Sequence, residues 1–214
     1  RQAASGPAAA HNLGASLARG KYLAFTDDDC QPAGGWLQYL GRQLVQRPEC
    51  VVGGRVVNQI DGNVFASASQ VLLGYLYEYF NQNPNRSWFL ASCNFALAAE
   101  SYRGVGGFDP AFPTAAAEDR DISDRLRRQG RLMIYEPRAE VFHQHELSLV
   151  SFWRQHFGYG RGASRYRKAH HVRSGVRVRL EPPRFYWNML VYPLRRNDLC
   201  SPWQVAALLV RCQV

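Results

Sequence analysis

Apolar residues recur along this chain at two spacings, and the alternation between them outlines an α/β fold. Leu13 and Leu17 stand four apart, between a proline suited to a first helical turn and Gly20, suited to ending one. A helix is therefore expected over 7–20, with both leucines on one face. The apolar run KYLAF at 21–25 reads as a short buried strand, and 26–32 as a loop at its C-terminal end. Trp36, Leu37, Leu40 and Leu44 mark a second helix, and β-branched residues at 50–57 a second strand. Residues 64–80 read as a largely buried helix, too short to cross a membrane, and 88–98 as another apolar strand. Gly106 and Gly107 call for a sharp loop. Glu118 then opens a helix that turns Ile122 and Leu126 inward and ends near Gly130. Two short strand patterns follow, at 131–137 and 139–145. Helices alternating with strands imply a sheet covered by helices, in which ligands gather at the carboxyl ends of strands.

Composition narrows the class. The 214 residues are 46% hydrophobic and 13% aromatic, enough for a packed core and too apolar for a disordered chain. The five cysteines are odd in number and scattered, which suits neither a disulfide framework nor a zinc site and points to a reducing, cytoplasmic compartment. There is no secretory signal and no membrane-length apolar run. The first residue is Arg1, which suits a piece of a longer chain. The net charge of +9 is concentrated: residues 154–184 carry nine basic side chains and one acid, Glu181. In that region Trp153, Phe157 and Tyr159 lie close together, interrupted by Gly158, Gly160 and Gly162. The chain accordingly divides into a core, 1–146, and a basic, aromatic helical extension, 147–214.

Three features carry chemistry. Asp27, Asp28 and Asp29 stand side by side after a strand, where their repulsion needs either a cation or open solvent. Glu118, Asp119 and Asp121 crowd a first helical turn, as the helix dipole alone would favour. The small, apolar loop before them, PTAAA at 113–117, would however leave them open to a cleft. His143 and His145 follow a strand and alternate in direction, so one of them, His143, is expected to face that cleft.

Four segments in order, GPAAAHNLGASLARGKYLAFTDDDCQPAGGWL, CNFALAAESYRGVGGFD, EDRDISDRLRRQG and VFHQHELSLVSFWRQHFGYGRG, spanning about 6–162, resemble the family 2 glycosyltransferases. These are inverting enzymes of the GT-A fold that use nucleotide-sugar donors. The resemblance implies a GT-A sheet flanked by helices, lacking its first strands. It also implies a Mg2+ or Mn2+ ion on Asp29, with Asp27 as a metal or nucleotide contact, Asp28 and Asn12 beside the donor, and His143 as an added metal ligand. Asp119 would be the catalytic base, with Glu118 tuning it or orienting the acceptor, and Gly107 and Asp109 would form the floor. The implied partners are a nucleotide sugar and a carbohydrate or lipid-linked acceptor. The family's usual arginine before Asn12 is His11 here, which leaves that contact open.

Two other readings compete. The chain could be a non-catalytic GT-A-like binding module, or the basic stretch 154–184 could bind nucleic acid by neutralising phosphates and stacking bases. The basic stretch also suits anionic lipid headgroups at the inner face of the plasma membrane, or the donor diphosphate. The apolar tail reads either as an interfacial segment or as a packed helix pair. A transferase without nucleic-acid binding is the reading that the four segments favour.

Overall fold

The computed structural model of the chain describes residues 6–196, 199 and 201–211. Five strands, β1 (Tyr22–Phe25), β2 (Cys30–Pro32), β3 (Val51–Asn58), β4 (Phe95–Ala98) and β5 (Met133–His143), form one mixed sheet ordered β1-β4-β3-β5-β2. β3 and β5 run parallel, β4 is antiparallel to β1 and β3, and β2 is antiparallel to β5. The helices are α1 (Pro7–Leu17), α2 (Trp36–Gln46), α3 (Val64–Phe80), α4 (Ala99–Gly104), α5 (Glu118–Arg128), α6 (Leu149–Ser174), α7 (Pro183–Val191) and α8 (Pro202–Arg211).

Each face of the sheet has its own cover. Trp36, Leu40 and Leu44 of α2 pack on Val52, Ala96, Ile134 and Val141. On the other face, Ile122 and Leu126 of α5 join Phe25, Val51, Phe95 and Phe108. Truncating Leu40, Phe95, Phe108 or Leu126, all fully buried, to alanine should cost about 2–5 kcal/mol. The leucine face of α1 is not the buried one. Leu17 is 72% exposed and Ala8 makes the buried contact instead, and Leu37 likewise points outward.

The two strands expected at 131–137 and 139–145 are one strand with a bulge. Register between β3 and β5 jumps from Gly54↔Glu136 to Arg55↔Glu140, which leaves Pro137 and its neighbours outside the ladder. Proline has no N–H to give a ladder, so the bulge falls where the sequence cannot pair. Asn94 fills the gap: its Nδ2 donates to Ala139 O at 2.7 Å and Arg55 O at 2.9 Å, and its Oδ1 accepts from Trp36 Nε1 at 2.9 Å. Gly54 makes this approach feasible, since a Cβ there would collide with both Asn94 and Ala139. Two other expectations shift as well. Cys30–Pro32 is a strand rather than loop, and only Phe95–Ala98 of the 88–98 run is strand, after a turn of 3-10 helix at Ser92–Asn94.

α3 and α6 pack together with α7 and α8 in a separate apolar cluster that includes Phe152, Phe185, Met189, Val205 and Leu209. The glycines at 158, 160 and 162 do not break α6, which runs through all three. The tail is thus a packed helix pair, and it still leaves Trp187 and Trp203 exposed. Among the described residues no helix is long and apolar enough to cross a membrane. Cys30, Cys50 and Cys93 are free thiols, and Cys200 and Cys212 lie outside the described residues.

Candidate active site

β1 ends at Phe25, and the chain turns sharply through the aspartates, Cys30 N donating to Asp27 O at 3.2 Å. The turn separates the three side chains. Asp28 is exposed, while Asp27 and Asp29 are half-buried and lead to different partners.

Asp29 faces two histidines. His143 Nε2 lies 3.1 Å, and His145 Nδ1 3.5 Å, from the same oxygen, Asp29 Oδ2. One ligand atom from each of these residues falls within 4.8 Å of the others, so the three could hold one metal ion. Burial pushes the Asp29 carboxyl up, but His143 and His145 outweigh it and hold the carboxyl below its usual range. The expectation that alternation would admit only one histidine is corrected here. β5 ends at His143, so the period of two no longer applies at His145, and both rings reach Asp29. Pairing of Cys30 with His143, and Gln144 N donating to Asp29 O at 2.8 Å, pin the two segments together.

Asp27 is not part of this cluster. Its Oδ1 lies 3.3 Å from His11 Nε2, and the His11 ring is held between Phe25 and Phe108 at centroid distances of 5.5 and 4.9 Å. His11 therefore positions Asp27, a role that the sequence did not suggest. Asn12, expected beside the donor, gives its amide to the floor instead. Its Oδ1 accepts from Tyr102 OH at 2.6 Å and Phe108 N at 2.9 Å, and its Nδ2 donates to Phe108 O at 2.8 Å. Gly107, at φ 70°, leaves the room this clamp needs, because a Cβ there would strike Asn12 Oδ1. Asp109 caps the next turn, its Oδ1 accepting from Ala111 N at 2.9 Å.

Across the cleft, α5 begins with Glu118 and Asp119. Ala117 just before them sits at φ 69°, the one non-glycine residue with positive φ among those described. Such a backbone costs about 1–2 kcal/mol, and strain of this kind collects at functional sites. Glu118 is buried, with Oε2 lacking a hydrogen-bond partner. Burial raises its carboxyl to about 8, helped by the charges of Asp119 and Asp27. Burial also raises Asp119, to about 6, against the N–H and charge of Arg120, with Asp27 again adding to the rise. The negative charge of Asp27 thus bears on both members of the pair, so Asp27 lies near them. Beneath lie Cys93 and Cys30; the hydrogen bond between the thiols, then burial, then the charges of Asp27 and Asp119 push Cys93 upward.

α6 closes the third side. Gln155 Oε1 lies 3.1 Å from His145 Nε2, and Gln155 Nε2 donates to Tyr159 OH. Gly162 lies against the backbone of Ala116, where a Cβ would not fit, so α6 also braces the loop that carries Ala117 and Glu118. A cavity of about 1000 Å3 lies elsewhere, walled by β3, α3 and residues such as Arg55, Glu78 and Tyr192. It gathers none of these carboxylates or histidines, and the chemistry locates the site better than the volume does.

Residues 1–106 match the model of Glycosyl transferase family 2, a span that includes the aspartates and stops before Glu118 and His143. Two strains of Mycobacterium tuberculosis have a pre-mycofactocin glycosyltransferase that is 29% identical over 163 residues, covering 74% of this chain and 34% of the relative. The succinoglycan biosynthesis protein ExoA of Rhizobium meliloti is 32% identical over 85 residues, 39% of this chain and 25% of the relative. The chain therefore spans about a third or less of the length of these relatives. Among solved structures, mannosyltransferase PcManGT from Pyrobaculum calidifontis, in complex with GDP-Man and Mn2+, aligns over 99% of this chain and 54% of its own, with TM-score 0.56 and 15% identity. GalNAc-T7 with UDP, GalNAc and Mn2+ aligns over 69% of this chain and 32% of its own, with TM-score 0.53 and 17% identity. At such identities these likenesses bear on the fold alone, and they give it as GT-A.

Proposed function

We propose that this chain, whose residues 1–106 match the Glycosyl transferase family 2 model and whose fold is GT-A, moves a sugar from a nucleotide-sugar donor to an acceptor hydroxyl, with inversion and with a divalent cation. The observation that carries the reading is the cluster of Asp29, His143 and His145, with Asp27 beside it acting on the buried pair Glu118 and Asp119.

The donor set fits a cation. One carboxylate held ionised and two imidazoles suit Mn2+ better than Mg2+, which prefers oxygen ligands. Both solved relatives carry Mn2+ in their complexes. A cation bound here would act as a Lewis acid toward the donor diphosphate. The protein's own part is the proton. Asp119 takes it from the acceptor hydroxyl as the oxygen forms its bond to the anomeric carbon, while the bond to the diphosphate breaks and its electron pair leaves with the phosphate. Glu118, raised above neutrality, stays protonated beside Asp119 at pH 7, so the pair carries one negative charge and the base function falls to Asp119. His11 orients Asp27 at the donor side, and the Asn12 clamp holds the floor.

The acceptor is proposed to be a carbohydrate or a lipid-linked one, met at the inner face of a membrane. The basic segment and the exposed Trp187 and Trp203 would contact anionic headgroups. Binding to anionic vesicles that resists rising salt and survives loss of both tryptophans would end that part of the reading.

The test of the whole is release of nucleoside diphosphate from a panel of nucleotide sugars with Mn2+. Asp119→Asn should lower release at least about 100-fold while donor binding stays near wild type. Transfer at the wild-type rate by the Asn variant would remove Asp119 from the role of base.

A further inference from the structure

α6 presents two polar side chains one turn apart, Gln155 and Tyr159, across the gap between the histidine cluster and the carboxylate pair. Their register is fixed by contacts made elsewhere along the same helix. Phe152 is fully buried, His156 Nε2 meets Ser69 Oγ of α3 at 3.0 Å, and Gly162 lies against Ala116. Residues four apart share a helix face, so Gln155 and Tyr159 form one stripe along the cleft wall.

We propose that Gln155, braced by Tyr159, is a positioning residue for the cation site: it accepts the Nε2 proton of His145 and keeps the Nδ1 lone pair of that ring turned toward Asp29. The inference rests on the reading that Asp29, His143 and His145 hold a divalent cation. A neutral imidazole has one donor and one acceptor nitrogen, and the partner of one decides the state of the other. The Gln155 amide donates through Nε2 to Tyr159 OH, which leaves Oε1 as the atom facing His145 Nε2. An acceptor at that place selects the Nε2–H tautomer. The contact is 3.1 Å, against 3.5 Å from Nδ1 to Asp29 Oδ2, and that carboxylate oxygen is already approached by His143 at 3.1 Å. Gln155 is therefore the better-placed acceptor for the single ring proton. Metal-binding histidines commonly donate their second N–H in this way, and loss of the partner typically weakens metal binding about 10–100-fold. Tyr159 extends the chain by one link, its hydroxyl oxygen accepting from the Gln155 amide.

The experiment uses the full chain and two readouts. Long-range proton–nitrogen spectra, taken metal-free at a pH above the imidazole range, report the His145 tautomer, and calorimetry reports Mn2+ affinity, with circular dichroism checking each fold. Wild type should show Nε2–H. Gln155→Leu should populate Nδ1–H and weaken Mn2+ about 10–100-fold. Gln155→Glu, which keeps an acceptor oxygen, should retain the Nε2–H form and hold Mn2+ far more tightly than the leucine variant. A leucine variant with the wild-type tautomer and affinity overturns the proposal, as does a glutamate variant that behaves like leucine. If wild type takes up no Mn2+, the cation reading fails separately, and the tautomer spectra alone decide for or against Gln155.

Discussion

At the scale of single residues, the chemistry turns on how burial divides the protons of Glu118 and Asp119. Both carboxyls are raised, so the folded state binds protons more tightly than the unfolded chain between pH 4 and 8. Stability then falls as pH rises through that window, and it is greatest below the ordinary carboxylate values. Glu118→Gln should flatten this slope in urea unfolding followed from pH 5 to 8.5; an unchanged slope would show that the carboxyl is not buried in solution. In the same window, transfer should gain a rising limb near pH 6 as Asp119 loses its proton, and the limb should be absent from the residual rate of Asp119→Asn. Ala117, at φ 69°, gives an independent check of the backbone behind the pair. Ala117→Gly should stabilise the fold by about 1 kcal/mol in denaturant titration, where glycine in an ordinary helix position would cost about that much. The residues at 27–29, 118–119 and 143 were legible because type and position coincide in the sequence. His145 and His11 were not, since one depends on where β5 stops and the other on an aromatic cage drawn from β1 and the Gly-Gly-Phe loop.

At the scale of elements, α6 and β5 decide whether the two walls meet. Gly160 and Gly162 lie two residues apart in α6 and should respond oppositely to alanine. Nothing lies near a Cβ at Gly160, so Gly160→Ala should stabilise by about 1 kcal/mol. At Gly162 the new methyl would press on the Ala116 backbone, and stability and transfer should both drop. Equal effects at the two sites in thermal unfolding and product assays would show that α6 does not brace this loop. In β5, Asn94→Ala would strip the bulge carbonyls of Ala139 and Arg55 of their donor, at about 1–3 kcal/mol per buried group left unpaired. Periodicity found α2, α3 and α5 within a residue or so, because each has a packed face that repeats at helical spacing. It split β5 at its proline, since a bulge bridged by Asn94 from a distant segment leaves no local trace. It gave no role to the α6 glycines, one of which serves a contact with residue 116.

At the scale of the whole molecule, the proposed function needs the Asp29–His143–His145 cluster and the base at the start of α5 to serve one bound donor. Strand ends of the GT-A sheet carry Asp29 and His143, and α6 reaches His145 through Gln155 and the loop before Glu118 through Gly162. The cavity of about 1000 Å3 beside Arg55 and Glu78 is the competing place for a ligand of nucleotide size. Crystals grown with Mn2+ and a nucleoside diphosphate, with anomalous scattering recorded at the manganese edge, decide between them. The account predicts a manganese peak within bonding distance of Asp29, His143 and His145, with the diphosphate on its open side facing Asp119. A peak elsewhere, or a diphosphate seated in the cavity between β3 and α3, would contradict it.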